Sequence, residues 1–98
     1  MINMIFVINE LKYDTDKMEL ISEKCEYSWN STILGSLVKN YGKSIKLWRS
    51  KKGNWLITYK KDFEIMCGYA LHESRAKDLL LQYDIEAYEK IFGELEEA

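Results

Sequence analysis

The segment Ile45 to Lys60, IKLWRSKKGNWLITYK, limits what this chain can fold into more than any other stretch. Two short runs rich in aromatic and branched residues flank Lys-Lys-Gly-Asn, the pattern of a β-hairpin closed by the loop Lys51-Lys52-Gly53. Gly53 supplies the left-handed position of a type I turn plus bulge, where a side chain would be strained. That loop sets the register. Arg49 falls opposite Trp55, Leu47 opposite Ile57 and Ile45 opposite Tyr59 on one face; Trp48 falls opposite Leu56 and Lys46 opposite Thr58 on the other. The first face is the expected core face. The second carries Lys46, Trp48, Thr58 and Lys60, a mixed basic and aromatic surface expected to stay open to partners.

A chain of 98 residues, 47% of them hydrophobic, has enough apolar material for one core and is expected to form a single domain over residues 1–98. No apolar run approaches the roughly 20 residues needed to cross a bilayer, so no membrane partner is expected. Met1 to Ile8, MINMIFVI, lacks a basic start and a small-residue cleavage site; it is expected to be a strand and not a signal peptide. Cys25 and Cys67 sit in apolar or strand-like contexts, which fits reduced, buried thiols in a cytoplasmic protein. The net charge of −2 hides a segregation. Lys43 to Lys61 holds seven basic residues and no acid, whereas Asp84 to Ala98 holds six acids against the single Lys90. Fields of this kind steer association with charged partners more than they stabilise a fold.

Taken in order, Met1 to Ile8 reads as a strand buried on both sides, and Asn9 to Asp16 as a turn region shaped by Asp14-Thr15-Asp16. Lys17 to Tyr27 reads as a strand with a helix as competitor. In Ser28 to Gly42, Ile33, Leu34, Leu37, Val38 and Tyr41 recur at three- and four-residue steps before Gly42, which predicts a short helix. After the hairpin, Phe63 to Leu71 alternates as a half-buried strand, with Gly68 marking a bulge or a close approach. His72 to Gln82 is helical through Ala76, Leu79, Leu80 and Tyr83. Asp84 then caps a second helix that turns Tyr88, Ile91 and Phe92 inward and closes at Gly93. The fold class is α+β: an antiparallel sheet of about four to five strands with a central hairpin at 45–60, covered on one face by helices, two of them C-terminal.

No recognisable catalytic motif is present, and neither enzymatic activity nor a cofactor is expected. Cys25, Cys67 and His72, the single histidine, lack the paired short spacings of a zinc site and read as packing and capping residues. Asp14 and Asp16 lack the later glutamate of a calcium loop and read as turn formers. The positive signal is the basic hairpin, because Lys and Arg neutralise phosphates and Trp or Tyr can stack on bases. Lys46, Trp48, Arg49, Lys51, Lys52 and Lys60 are its candidate partner-binding residues, with Glu94, Glu96 and Glu97 as a second, acidic set. The competing reading is that the tryptophans pack and the lysines keep an edge soluble. An aromatic fraction of 13% in so small a chain leaves Trp29, Trp48 and several tyrosines near the surface, which favours a binding module or a homodimer over an enzyme.

Several segments together resemble a known group: Tyr13 to Ile21 (YDTDKMELI), Leu47 to Leu56 (LWRSKKGNWL), Ala76-Lys77, and Tyr88 to Glu94 (YEKIFGE). Their order is similar to that in small bacterial proteins of phages and other mobile elements, whose pattern runs roughly YDTxTAELI, LYxTKKGNWFL, LTxEEAxxW and YEEIFGE. The likeness covers most of Lys12 to Ala98. Residues 1–11 are an addition, His72 replaces a Ser or Thr, the glycine-rich segment after the hairpin shortens to Lys60-Lys61-Asp62, and the helical Trp near Leu79 is missing.

The resemblance implies a role in conflict between mobile elements and host defence. By analogy of size and setting, it implies an anti-CRISPR inhibitor that binds a Cas effector or its ribonucleoprotein stoichiometrically in the bacterial cytoplasm, blocking access of guide or target. The alternative expectation is a nucleic-acid-binding accessory protein of a plasmid or phage.

Overall fold

The computed structural model describes residues 4–61 and 64–98. Its centre is the expected hairpin. β6 (Lys43–Arg49) and β7 (Trp55–Lys60) pair antiparallel with Arg49 opposite Trp55, Leu47 opposite Ile57, Trp48 opposite Leu56 and Lys46 opposite Thr58. Gly53 takes φ 86°. Ser50 and Asn54 close the loop with backbone bonds, Ser50 N to Asn54 O at 2.8 Å and Gly53 N to Ser50 O at 3.0 Å. The expected pairing of Ile45 with Tyr59 is absent. The register shifts between Lys43 and Lys46, where Ser44 adopts φ 51°, so a bulge inserts one residue before the pairing resumes at Lys43 and Lys60.

Around this hairpin runs a four-stranded antiparallel sheet in the order β3-β6-β7-β8, with β3 at Glu19–Ser22 and β8 at Met66–Leu71. The strand expected over Lys17 to Tyr27 is therefore only four residues long, and Phe63 lies outside the described residues. One face packs against α1 (Glu73–Tyr83) and α2 (Ile85–Phe92). Leu47, Trp55, Ile57, Ala76, Leu79, Leu80, Ala87 and Cys25 form that core, with Tyr88, Ile91 and Phe92 packed on it as their spacing predicts. Burying an aliphatic side chain such as Leu80 contributes about 1.5–3 kcal/mol. Trp55 stacks on Phe92 with ring centroids 6.0 Å apart.

Asp84 joins the two helices and ties them to the sheet. Its backbone N–H donates to Leu80 O and ends α1, its Oδ1 accepts from Ala87 N at 3.2 Å and starts α2, and its Oδ2 accepts from Ser22 Oγ at 2.6 Å. Gly93, at φ 101°, closes α2.

The second sheet face is not open. A hairpin of β1 (Ile5–Ile8) and β2 (Leu11–Asp14), turning at Asn9 and Glu10 with φ 52° and 64°, lies over it. Phe6 rests against Gly68, Tyr13 is buried, and Leu56 and Thr58 are completely removed from solvent. β1 is half-exposed, with Ile5 and Val7 facing water, where burial on both sides was expected. β2 was missed, because Leu11 to Asp14 reads as polar turn material in isolation. Asp14 does shape a turn: its Oδ1 accepts from Asp16 N at 3.1 Å and opens a short 3-10 turn at Thr15–Lys17.

The largest correction concerns Ser28 to Gly42. The segment is not a helix but a hairpin of β4 (Ser28–Ile33) and β5 (Ser36–Tyr41), whose strands, among the described residues, pair only with each other. Its turn is Leu34-Gly35, with φ 51° and 79°, the left-handed pair a type I′ turn requires. Left-handed backbone costs a side-chain-bearing residue roughly 1–2 kcal/mol. Branched residues, Ser, Thr and Asn favour strand and turn over helix here, and Gly35 sits in the turn. The arm is rooted by Gly42 N donating to Tyr27 O at 2.9 Å and by Tyr27 and Trp29 packing on Tyr59, at 4.6 and 5.2 Å between centroids.

Candidate partner-binding surface

The candidate residues on the central hairpin are distributed by strand alternation, so they do not form one surface. Lys51 and Lys52 stand exposed in the turn. Trp48 is half-buried on the face under the β1–β2 hairpin, and its Nε1 donates to Thr58 Oγ1 at 2.9 Å. That bond aims the indole inward, so Trp48 is a packing residue rather than an open stacking platform. Arg49 lies on the helical face, half-buried, its guanidinium 5.6 Å from the centre of the Trp55 ring in a cation–π arrangement, and it also lines a neighbouring concavity with Lys17 and Lys51. Lys60 is at the opposite end of the sheet from the turn and pairs with Glu64 at 3.0 Å, which holds the Glu64 carboxyl below its usual range. Lys46 reaches Glu23 at 3.8 Å.

At the turn end the structure brings in residues that sequence reasoning missed. Lys12 from β2 and Lys17 from the 3-10 turn line one concavity with Lys51 and Lys52, about 340 Å³ in volume. Ser50, Asn54, Tyr13 and Asp14 complete much of its wall. Four lysines from three chain segments therefore surround one aspartate, and all four are exposed. Nothing in the local pattern of Lys12 or Lys17 points there, since only the packing of the β1–β2 hairpin carries them to the Lys51–Lys52 turn.

The acidic candidates stand apart. Glu94, Glu96 and Glu97 follow α2 as exposed residues, and Leu95 N donates to Glu89 Oε2 at 2.9 Å, folding the segment back on the helix end. The molecule is thus charged oppositely at its basic turn and beyond α2, as the segregation along the chain implies.

No protein-family model, curated protein or solved structure matches this chain.

Both cysteines are free thiols. Cys25 belongs to the core, where burial pushes its thiol up, a hydrogen bond with Ser22 works the other way, and the Asp84 carboxylate adds to the rise. A thiol kept protonated is a poor nucleophile. Cys67 is half-buried opposite Tyr59. His72 takes the N-cap position of α1 but makes no side-chain capping bond, so the capping role expected of it is not performed. Among the described residues, no three His, Cys, Asp or Glu side chains converge as a metal site.

Proposed function

We propose that this protein is a stoichiometric inhibitor of host defence carried by a phage or other mobile element, acting as an anti-CRISPR protein. In this reading it binds a Cas effector and blocks access of guide or target nucleic acid, without catalysing a reaction. One observation carries the binding reading: Lys12, Lys17, Lys51 and Lys52 converge around a single open concavity. Convergent exposed cations steer and orient association with an acidic surface. The resemblance of the Tyr13–Ile21, Leu47–Leu56 and Tyr88–Glu94 segments to mobile-element proteins supplies the biological setting. Glu94, Glu96 and Glu97 offer a second contact, presenting carboxylates where a nucleic-acid channel would otherwise meet phosphate.

The test is a target-cleavage assay with purified Cas ribonucleoproteins titrated with the protein. Inhibition saturating near one inhibitor per effector, and weakened in a Lys51→Glu/Lys52→Glu variant of unchanged fold, is the expected result. Undiminished inhibition by that variant would remove the lysine site. Absence of inhibition across the effector types would remove the proposal.

The alternative, a nucleic-acid-binding accessory protein, draws on the same lysines but loses its aromatic platform, because Trp48 is turned toward Thr58. It predicts binding to nucleic acid that weakens steeply as salt rises.

A further inference from the structure

The four-stranded sheet ends at β8, and among the described residues no strand pairs beyond it. Charged side chains, proline, a bulge or brevity normally keep such an edge from pairing with another chain. β8 has none of these. Its sequence, MCGYAL, holds no charged residue and no proline, and all six residues pair with β7 without a register shift. The opposite edge is protected: β3 is four residues long, shifts register between Leu20 and Ser22, and carries Glu19.

Alternation fixes which groups of β8 are free. Lys61 N donates to Ile65 O at 2.8 Å, one step before the β7–β8 ladder begins. Counting from that pair, the N–H and C=O of Cys67, Tyr69 and Leu71 turn toward β7, and those of Met66, Gly68 and Ala70 point away from the sheet. Tyr69, Ala70 and Leu71 also line, in succession, a concavity of about 450 Å³. Successive strand side chains face opposite ways, so three in a row are met from the edge. That end of β8 is uncovered.

The rest of the wall selects the occupant. Asn9, Tyr27, Ser28, His72 and Arg75 complete it, and no carboxylate among the described residues lines it. Arg75 is exposed; Glu26 and Asp78 share a smaller hollow with it, but it forms an ion pair with neither. His72 keeps its ring free of a capping bond. Tyr69 is 54% exposed and lies 6.2 Å from Tyr27 between ring centres, an apolar flank beside the edge. Main-chain groups presented at strand spacing match an extended peptide, and an unpaired guanidinium matches a carboxylate. A nucleic-acid backbone has no amide N–H to return the bonds of the edge.

We infer that β8 takes up an extended peptide segment of a partner protein as a fifth strand of this sheet, with a carboxylate of that segment seated against Arg75 and His72. The site is separate from the lysine concavity, and its test needs no Cas effector.

A random-peptide display library selected against the immobilised full chain supplies the probe. The selected peptides should carry Asp or Glu toward one end, and should slow amide hydrogen exchange at Met66, Gly68 and Ala70. N-methylation of alternate peptide amides should abolish binding in one register and be tolerated in the other. Arg75→Gln, at an exposed helical position, should leave the fold intact and weaken the peptides about tenfold or more. Ala70→Pro removes an outward N–H while sparing the bonds to β7, so it should abolish binding. Failure to enrich a peptide, a consensus without acids, equal tolerance of both methylation registers, or affinity unchanged in both variants would each overturn the inference. So would a dimer in sedimentation that Ala70→Pro dissociates, which makes a second copy the occupant, or a single-stranded oligonucleotide that displaces the peptides. Loss of Cas inhibition is not part of this readout, so failure here and failure of the inhibitor reading remain distinguishable.

Discussion

Gly68 lies directly beneath the ring of Phe6: a Cβ on Gly68 would stand 2.8 Å from Phe6 Cγ. This approach lets the β1–β2 hairpin settle onto β8 and seal the sheet face that carries Leu56 and Thr58. Gly68→Ala should therefore destabilise the protein by about 1–3 kcal/mol through overpacking. Denaturant unfolding measures this. Coupling with Phe6→Leu in a double-mutant cycle should recover part of the loss, whereas simple additivity would place the strain elsewhere.

Thr58 is completely buried and accepts the Trp48 indole N–H. Thr58→Val keeps the shape but leaves that donor without its partner, a loss of about 1–3 kcal/mol. Replacing Trp48 with Phe in the Thr58→Val background should be far less costly than the two single effects added together. Urea midpoints of the four proteins in this cycle check the claim.

These two relationships also show why the sequence misleads about the hairpin's second face. Lys46, Trp48, Thr58 and Lys60 look like an open polar surface because Trp48 and Thr58 satisfy one another only after folding. The sign of the covering was Gly68, on the same face as Thr58, where a missing side chain makes room for a ring. The hairpin register itself was legible from Gly53 and the alternation on either side, as were Asp84 and Gly93 at the ends of α2. Ser28 to Gly42 was misread because apolar positions folded about a central turn imitate helical spacing. Leu34-Gly35 lies at the midpoint between Trp29 and Asn40, which pair. The lysine concavity was not legible at all, since Lys12 reaches Lys51 by way of a strand that looks like turn sequence.

Asp84 serves two helices and one strand, so Asp84→Ala should cost about 0.5–2 kcal/mol from the cap alone. Burial opposes the carboxylate's charge, but hydrogen bonds from Ser22 and the Ala87 amide outweigh it and hold its pKa below the ordinary value. A depressed folded pKa gives stability that is present above the unfolded value and lost as pH falls through the folded one. Acid unfolding should accordingly be less steep in Asp84→Asn, which retains an acceptor for the cap. Identical acid limbs would contradict this.

Tyr59 is buried, and desolvation first, then the neighbouring Tyr27 and Cys67, push its hydroxyl up from 10.0 to about 12. A raised folded pKa gives stability intact below the unfolded value of 10.0 and lost as pH climbs toward about 12. Tyr59→Phe should flatten the alkaline decline in stability. Tyrosinate absorbance should show one late-titrating ring in the wild type that is missing from the variant.

The proposed inhibition rests on direct, stoichiometric engagement of a Cas effector through the lysine-lined turn. The most direct measurement is co-elution of the purified protein with individual Cas effectors on a sizing column after exhaustive nuclease treatment, with the Lys51→Glu/Lys52→Glu variant alongside. At least one effector should carry the wild type into its peak after nuclease treatment, and the variant should elute separately. Association lost with the nucleic acid, or equally strong for the variant, would contradict it.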